Sequence, residues 1–183
     1  MDAESKKALR VPFIITLVAA VALLVGFFLP YVSAQGDFRE MLLEDPETEL
    51  GNDTSMTTGE MADASLFEFS RVFIDDMQNV EGYTQVDRTF TLAVFIADGV
   101  LSVILLLFAI AKKPVPIIVF SLFGALSFWL TWLDFDTRGL LEERYALGIS
   151  FYLTIACLVV LFVGAIWLLV EKMKHKKRIK AAE

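Results

Sequence analysis

Four stretches of the chain are continuously apolar over about the 20 residues that cross 30 Å of hydrocarbon as a helix. They are Val11–Val32, Phe90–Ala111, Val115–Leu133 and Leu147–Val170. None alternates polar and apolar residues, so a membrane β-barrel is excluded. Each is too long, and too uniformly apolar, for an ordinary amphipathic core helix. The pattern predicts an all-α membrane protein: one four-helix bundle over residues 1–183, with a large outer loop 34–88, a short outer loop 134–146 and a basic tail 171–183.

Lys and Arg set the expected orientation. Eleven of the 16 basic residues fall in the N-terminal tail (Lys6, Lys7, Arg10), the second link (Lys112, Lys113) and the last segment (Lys172 to Lys180). The positive-inside rule then places both termini in the cytoplasm. A secretory signal cleaved after Ala34 is the competing reading, and the run Val11–Leu29 exceeds the usual apolar core of such a signal.

Within the large loop the polar stretch Asp45–Gly59 reads as irregular. Phe38 to Leu43 has room for one or two helical turns. Ser65-Leu66-Phe67-Glu68 is a capping-box pattern. Behind it Leu66, Phe69, Phe73 and Met77 recur at helical spacing, with Glu68, Arg71, Asp75 and Asp76 off that stripe. This predicts an amphipathic helix over Ser65–Asn79. Its apolar face would lie on the chain's own bundle, on the outer leaflet or on a partner.

Asp98 lies near the middle of the second span, about 15 Å from its outer end at 1.5 Å per residue. No Lys, Arg or His occurs in any of the four spans. An acid at that depth costs about 3 kcal/mol and is a functional candidate by default. Thr91, Asp98 and Ser102 share one helical stripe. Facing spans offer Ser121, Gly124, Ser127 and Thr131, and Ser150, Thr154, Cys157 and Gly164, as membrane-helix contacts do. By depth, Ser127 and Thr154 are the expected partners of Asp98. Tyr31, Trp129, Trp132 and Trp167 read as interfacial belt residues.

Composition agrees with this picture. Of 183 residues 56% are hydrophobic and 21% charged, with a mean hydropathy of +0.62. The formal charge of −7 hides an asymmetry, since the loop 34–88 carries 14 acids against three Arg. Such a face would repel phosphate, so no nucleic-acid partner is expected. The acids Glu44, Asp45, Glu47, Glu49 and Asp53 lack calcium-loop spacing and read as a solvated face. Asn52-Asp53-Thr54 is a glycosylation sequon. Cys157 and His175 stand alone, which excludes an internal disulfide and a multi-histidine zinc site. The cysteine-free outer loop suggests a bacterial plasma membrane. No catalytic motif, metal site or cofactor motif is found, so an enzyme is not expected.

Four spans, both termini inside and a large first outer loop resemble the claudin-type layout. That family's Gly-Leu-Trp and paired cysteines are absent from this loop. Three functions follow as expectations. The first is a non-enzymatic accessory or scaffold subunit, contacting other membrane subunits through its spans and through Leu66, Phe69, Phe73 and Met77. The second is a proton or cation transport component using Asp98, Thr91, Ser102, Ser127 and Thr154. The third is claudin-like self-assembly. Membrane lipids, with anionic lipid at the basic tail, are the remaining expected partners.

Overall fold

A computed structural model describes residues 3–48, 56–75, 85–139, 141 and 144–180. In chain order the elements are α1 (Ala3–Gly26), β1 (Val32–Ala34), α2 (Gly36–Glu44), α3 (Thr58–Ala62), α4 (Leu66–Asp75), α5 (Gln85–Ile110), α6 (Pro114–Thr137), β2 (Tyr145–Leu147) and α7 (Ile149–Lys180). Helices α1, α5, α6 and α7 are each long and apolar enough to cross a membrane, and only 28–33% of each apolar window is buried. Their outward faces are aliphatic, as at Val18, Leu107, Leu122 and Val159. This matches a small integral membrane protein whose outer surface meets hydrocarbon.

The four helices close a ring in which α1 packs on α7 and α5, α5 on α6, and α6 on α7. Small residues allow the close approaches. A Cβ on Gly164 of α7 would come within 2.7 Å of Thr16 Oγ1 on α1. The Thr16 hydroxyl donates to Pro12 O at 2.7 Å, so it is not free to swing away.

The first span is shorter than its apolar run. Helix α1 ends at Gly26, and Phe27, Phe28 and Leu29 close tight turns on Leu24, Val25 and Gly26. Pro30 has no N–H and disfavours helix before it. The Tyr31 and Val32 amides then both donate to Ala64 O, at 2.8 and 3.2 Å. Strand β1 pairs antiparallel with β2 in the register Val32↔Leu147, Ser33↔Ala146, Ala34↔Tyr145. The third span instead runs on, since α6 continues through Asp134–Thr137. Helix α7 likewise continues into the basic tail, where Lys174 pairs with Glu171 at 2.8 Å.

A cap covers the β1–β2 end of the bundle. Helix α3 opens with a capping box between Thr57 and Glu60. Helix α4 opens with one between Ser65 and Glu68: the Ser65 amide and hydroxyl both donate to Glu68 Oε2, and the Glu68 amide donates to Ser65 Oγ. Arg39 of α2 forks onto Asp63 at 3.0 and 2.6 Å. That pairing holds the Asp63 carboxyl below its ordinary range. The Tyr145 hydroxyl donates to Met61 O at 3.2 Å, and burial pushes its pKa up to about 12. At the opposite end of the bundle, Lys172 donates to Lys112 O, and Lys112 Nζ stands 4.4 Å over the Phe13 ring.

Candidate intramembrane polar site

Asp98 points into the bundle from the middle of α5. Thr131 of α6, itself fully buried, donates to Asp98 Oδ2 at 2.7 Å. Ser127, one turn away on α6, sits beside the same carboxyl without closing a normal hydrogen bond. The third hydroxyl is that of Tyr31, which follows the Pro30 corner. Tyr31 is 0% exposed and has no hydrogen-bond partner at its hydroxyl among the described residues. Two hydroxyls of α6 thus stand at the Asp98 carboxyl, and the buried Tyr31 hydroxyl lies in the same core.

The backbone around Tyr31 explains why it is drawn inward. Its amide donates to Ala64 O, its carbonyl accepts from Gly148 N at 2.7 Å, and Pro30 O accepts from Ser150 N at 3.0 Å. A Cβ on Gly148 would lie 2.8 Å from the Pro30 carbonyl carbon and closer still to its oxygen, so only glycine lets α7 begin this near the corner. The Tyr31 ring then seats among Phe128, Phe135 and Phe151, with centroids 5.9, 5.1 and 5.9 Å away. Tyr31 is therefore a core residue and not a belt residue. Trp129 and Trp167 do stand outward, 51% and 43% exposed.

A chamber of about 30 Å³ adjoins Asp98, lined also by Ser102, Thr154, Gly124 and Phe128. That is room for one water-sized body. Ser102 is buried and donates to Gly99 O at 2.7 Å within its own helix. Thr154 of α7 also lines the chamber, with its hydroxyl close to Gly26 of α1. From the chamber wall at Leu105 toward the Lys112 end, the core is aliphatic: Leu105, Ile117 and Leu161 are each 0% exposed.

Thr91 belongs to a separate group two turns away. Arg138 donates to Thr91 Oγ1 at 2.6 Å and pairs with Asp134 at 2.8 Å, and Thr91 donates to Asp134 Oδ1 at 3.1 Å. The rings of Phe95, Phe135 and Phe69 pack together between the two groups, 5.1 to 6.0 Å apart. Shared stripe position therefore did not mean a shared site. Thr131 was missed as the partner of Asp98, and Tyr31 as a core residue beside it in the aromatic cluster. Axial depth was a poor guide because it ignores how each helix is rotated, and Tyr31 approaches from a turn.

Of the placements open to the apolar stripe of α4, the structure shows the chain's own bundle. Leu66 is 3% exposed, Phe69 packs on Phe95 and Phe135, and the Phe73 ring lies 5.8 Å from Phe95. The stripe covers the chain's own bundle, because α5 offers it an aromatic seat. Met77 lies outside the described residues. Phe67 and Ile74, off that stripe, are 43% and 54% exposed.

Two apolar grooves flank α1. One of about 460 Å³ runs along the α1–α5 seam under Phe67, with Leu24, Phe28, Ile96 and Val103 in its walls. The other, about 360 Å³, follows the α1–α7 seam past Ile14, Val18, Ala22, Ala156 and Cys157. Compared with protein-family models, curated proteins and solved structures, the chain matches none.

Proposed function

We propose that this protein is a non-enzymatic accessory or scaffold subunit that docks on other membrane proteins through the face of α1. The observation that carries this reading is the shape of that face. Val11, Ile14, Val18, Val21 and Val25 form one stripe along α1 that Phe28 continues just past its end, each 44–61% exposed. The stripe stands as a ridge between the two grooves. A ridge flanked by grooves is the relief into which another helix packs. Ala22, Ala156 and Cys157 keep the α1–α7 groove shallow-walled, as close helix approach requires. The acidic outer segment and the exposed Phe67 and Ile74 extend this contact surface beyond the membrane.

The same reading places both termini in the cytoplasm, of a bacterial plasma membrane. Its support is that Lys112, Lys113 and Lys172 gather at one end of the bundle while the acidic loop segments cap the other. The basic end would also attract anionic lipid headgroups.

A second reading, transport of a proton or cation, is favoured by Asp98 alone. The aliphatic packing of Leu105, Ile117 and Leu161 below the chamber weighs against a through path.

The test is extraction of the native protein in mild detergent, followed by mass spectrometry of the intact particle. A stoichiometric assembly with other membrane proteins is the expected result. A monomer or pure homo-oligomer overturns the accessory reading, and the homo-oligomer would favour self-assembly.

A further inference from the structure

We infer that the link between α5 and α6 forms a discrete binding site for the phosphate of an anionic membrane lipid, centred on Lys112. The inference deepens the reading of the lysine end as the one that attracts anionic lipid, and it rests on that reading.

The backbone carries the first argument. Helix α5 closes in a paired turn: the Lys112 amide donates to Ala109 O and the Lys113 amide to Phe108 O, both at 3.0 Å. That is the Schellman ending, whose left-handed residue is usually glycine. Here it is Lys112, at φ +55°, the one non-glycine residue with positive φ among the described residues. A Cβ makes this conformation costly, so a lysine stands where glycine would sit more easily. Strain of this kind gathers at functional positions.

The side chains carry the second. Lys112 Nζ stands 4.4 Å over the Phe13 ring of α1, and Lys172 of α7 donates to the Lys112 carbonyl. Two lysines from separate elements thus meet at one residue, and Lys113 follows directly. Among the described residues no carboxylate pairs with Lys112, Lys113 or Lys172, and Glu171 is engaged by Lys174. Cations gathered without an acid repel one another, and a bound anion offsets that repulsion.

Position selects a lipid over a soluble phosphate. Phe13 lies within the apolar window of α1, and Leu107, Ile110 and Val115 beside the link are exposed apolar side chains. A lipid sets its phosphate on the lysines and its acyl chains along these residues, whereas a free phosphate uses only the lysines. Basic groups where spans leave the membrane hold anionic headgroups in this way.

The experiment uses the full chain in uncharged detergent. Phosphatidylglycerol is the anionic probe, phosphatidylcholine its zwitterionic counterpart and glycerol phosphate the soluble one. Tm is followed as each is added, and retained lipid is counted by mass spectrometry of the intact protein. Phosphatidylglycerol should raise Tm and leave one bound lipid, and the other two should do neither. Lys112→Gly separates the site from the fold, because glycine suits the left-handed turn. Its lipid-free Tm should equal or exceed that of wild type. The phosphatidylglycerol needed for half of the Tm rise should nevertheless increase about tenfold, the effect of losing one good charged contact. Lys172→Met, which keeps an unbranched stem, should raise that requirement likewise. Lys176→Gln combined with Lys177→Gln, in the tail, should leave it unchanged. A response kept by Lys112→Gly and lost by the tail pair overturns the discrete site, leaving a diffuse attraction to the tail. An equal response to glycerol phosphate overturns the lipid as its ligand. A clear fall in the lipid-free Tm of Lys112→Gly would show that Lys112 serves the fold instead. No response of the wild type to phosphatidylglycerol overturns the reading of the lysine end itself.

Discussion

The two ends of this bundle are held by different physics. Toward the cap, the core is aromatic and polar. Tyr31 sits among three Phe rings, Asp98 accepts from Thr131, and Arg138, Asp134 and Thr91 close a half-buried triangle. Toward the lysine end, the core is Ile117, Leu161, Ala165 and Leu168, with Gly164 seated against Thr16. Hydrogen bonds and ring edges have direction, so the cap half fixes register and rotation. Aliphatic contacts in lipid gain little from burial itself, so the other half depends on how closely the backbones approach. Specificity and close packing are thus divided between the two halves.

The largest effect should come from the corner where both halves are joined. Gly148→Ala places a methyl 2.8 Å from the Pro30 carbonyl carbon and 3.0 Å from the Tyr31 carbonyl carbon, both backbone. Nothing there can rotate away. The hydrogen bonds from Gly148 N to Tyr31 O and from Ser150 N to Pro30 O must lengthen, and Tyr31 must leave its ring seat. A loss of roughly 3 kcal/mol or more is expected. It is read as a fall in monodisperse protein on size exclusion and in Tm. A variant as stable as wild type would show that the corner does not join the two halves.

The lysine half gives the next test. Gly164→Ala drives a Cβ to 2.7 Å from Thr16 Oγ1. The expected cost is about 1–3 kcal/mol. Adding Thr16→Ala removes the opposing atom and should recover most of that loss, a coupling measured by a double-mutant cycle. Additive losses would mean that α1 and α7 are not held by close approach at this point.

Thr131→Val and Thr91→Val compare the two polar groups of the cap half. Valine keeps the shape and removes the hydroxyl. Thr131 donates the well-formed hydrogen bond to Asp98, so its loss should cost about 1.5–3 kcal/mol, the range for bonds to charged groups. Losing the Thr91 hydroxyl leaves the Arg138–Asp134 pair intact, and about 0.5–1.5 kcal/mol is expected. Equal Tm changes would dissolve the distinction between an inner site and an outer triangle.

How much of this was legible in the sequence follows the range of each signal. The four spans were readable because a run of 20 apolar residues leaves a helix no polar face to turn toward water. The Ser65–Glu68 capping box was readable because its partners are three residues apart. The same signal at Thr57–Glu60 was present and passed over inside a stretch that looked irregular. Strands β1 and β2 have three residues each, too few to alternate, and their pairing spans more than 100 positions. Of the polar site, Asp98 and Ser127 were found from depth and chemistry. Thr131 and Tyr31 were not, because helix rotation and the inward turn at Pro30 are set by tertiary contacts. Tyr31 also carries the same composition signal as a belt residue, and only its 0% exposure separates the two roles.

The smallest effect belongs to the surface of the cap, where direction of bonding is the same but water is near. Arg39 and Asp63 make a two-bond fork, yet their side chains are 37% and 40% exposed. Solvent screens such a pair, and it is worth about 1 kcal/mol at most. Asp63 has its carboxyl held down by Arg39, so the folded state binds this proton less readily than the unfolded chain. The contribution is complete above the unfolded carboxylate range near pH 4 and fades as pH falls through the lowered folded value. Arg39→Ala should therefore lower Tm slightly at neutral pH and by less once Asp63 is protonated, when only the bonds from Arg39 to the Ala34 and Ala62 carbonyls remain to be lost. High salt should shrink the difference further. Hydrogen exchange at the amides of α2 and α3 localises the effect: faster exchange there, with α5 to α7 unchanged, is the expected pattern. If the loosening instead reaches the Tyr31 corner, the cap surface and the Asp98 site act as one unit, and the difference between an exposed pair and a buried one is smaller than their burial implies.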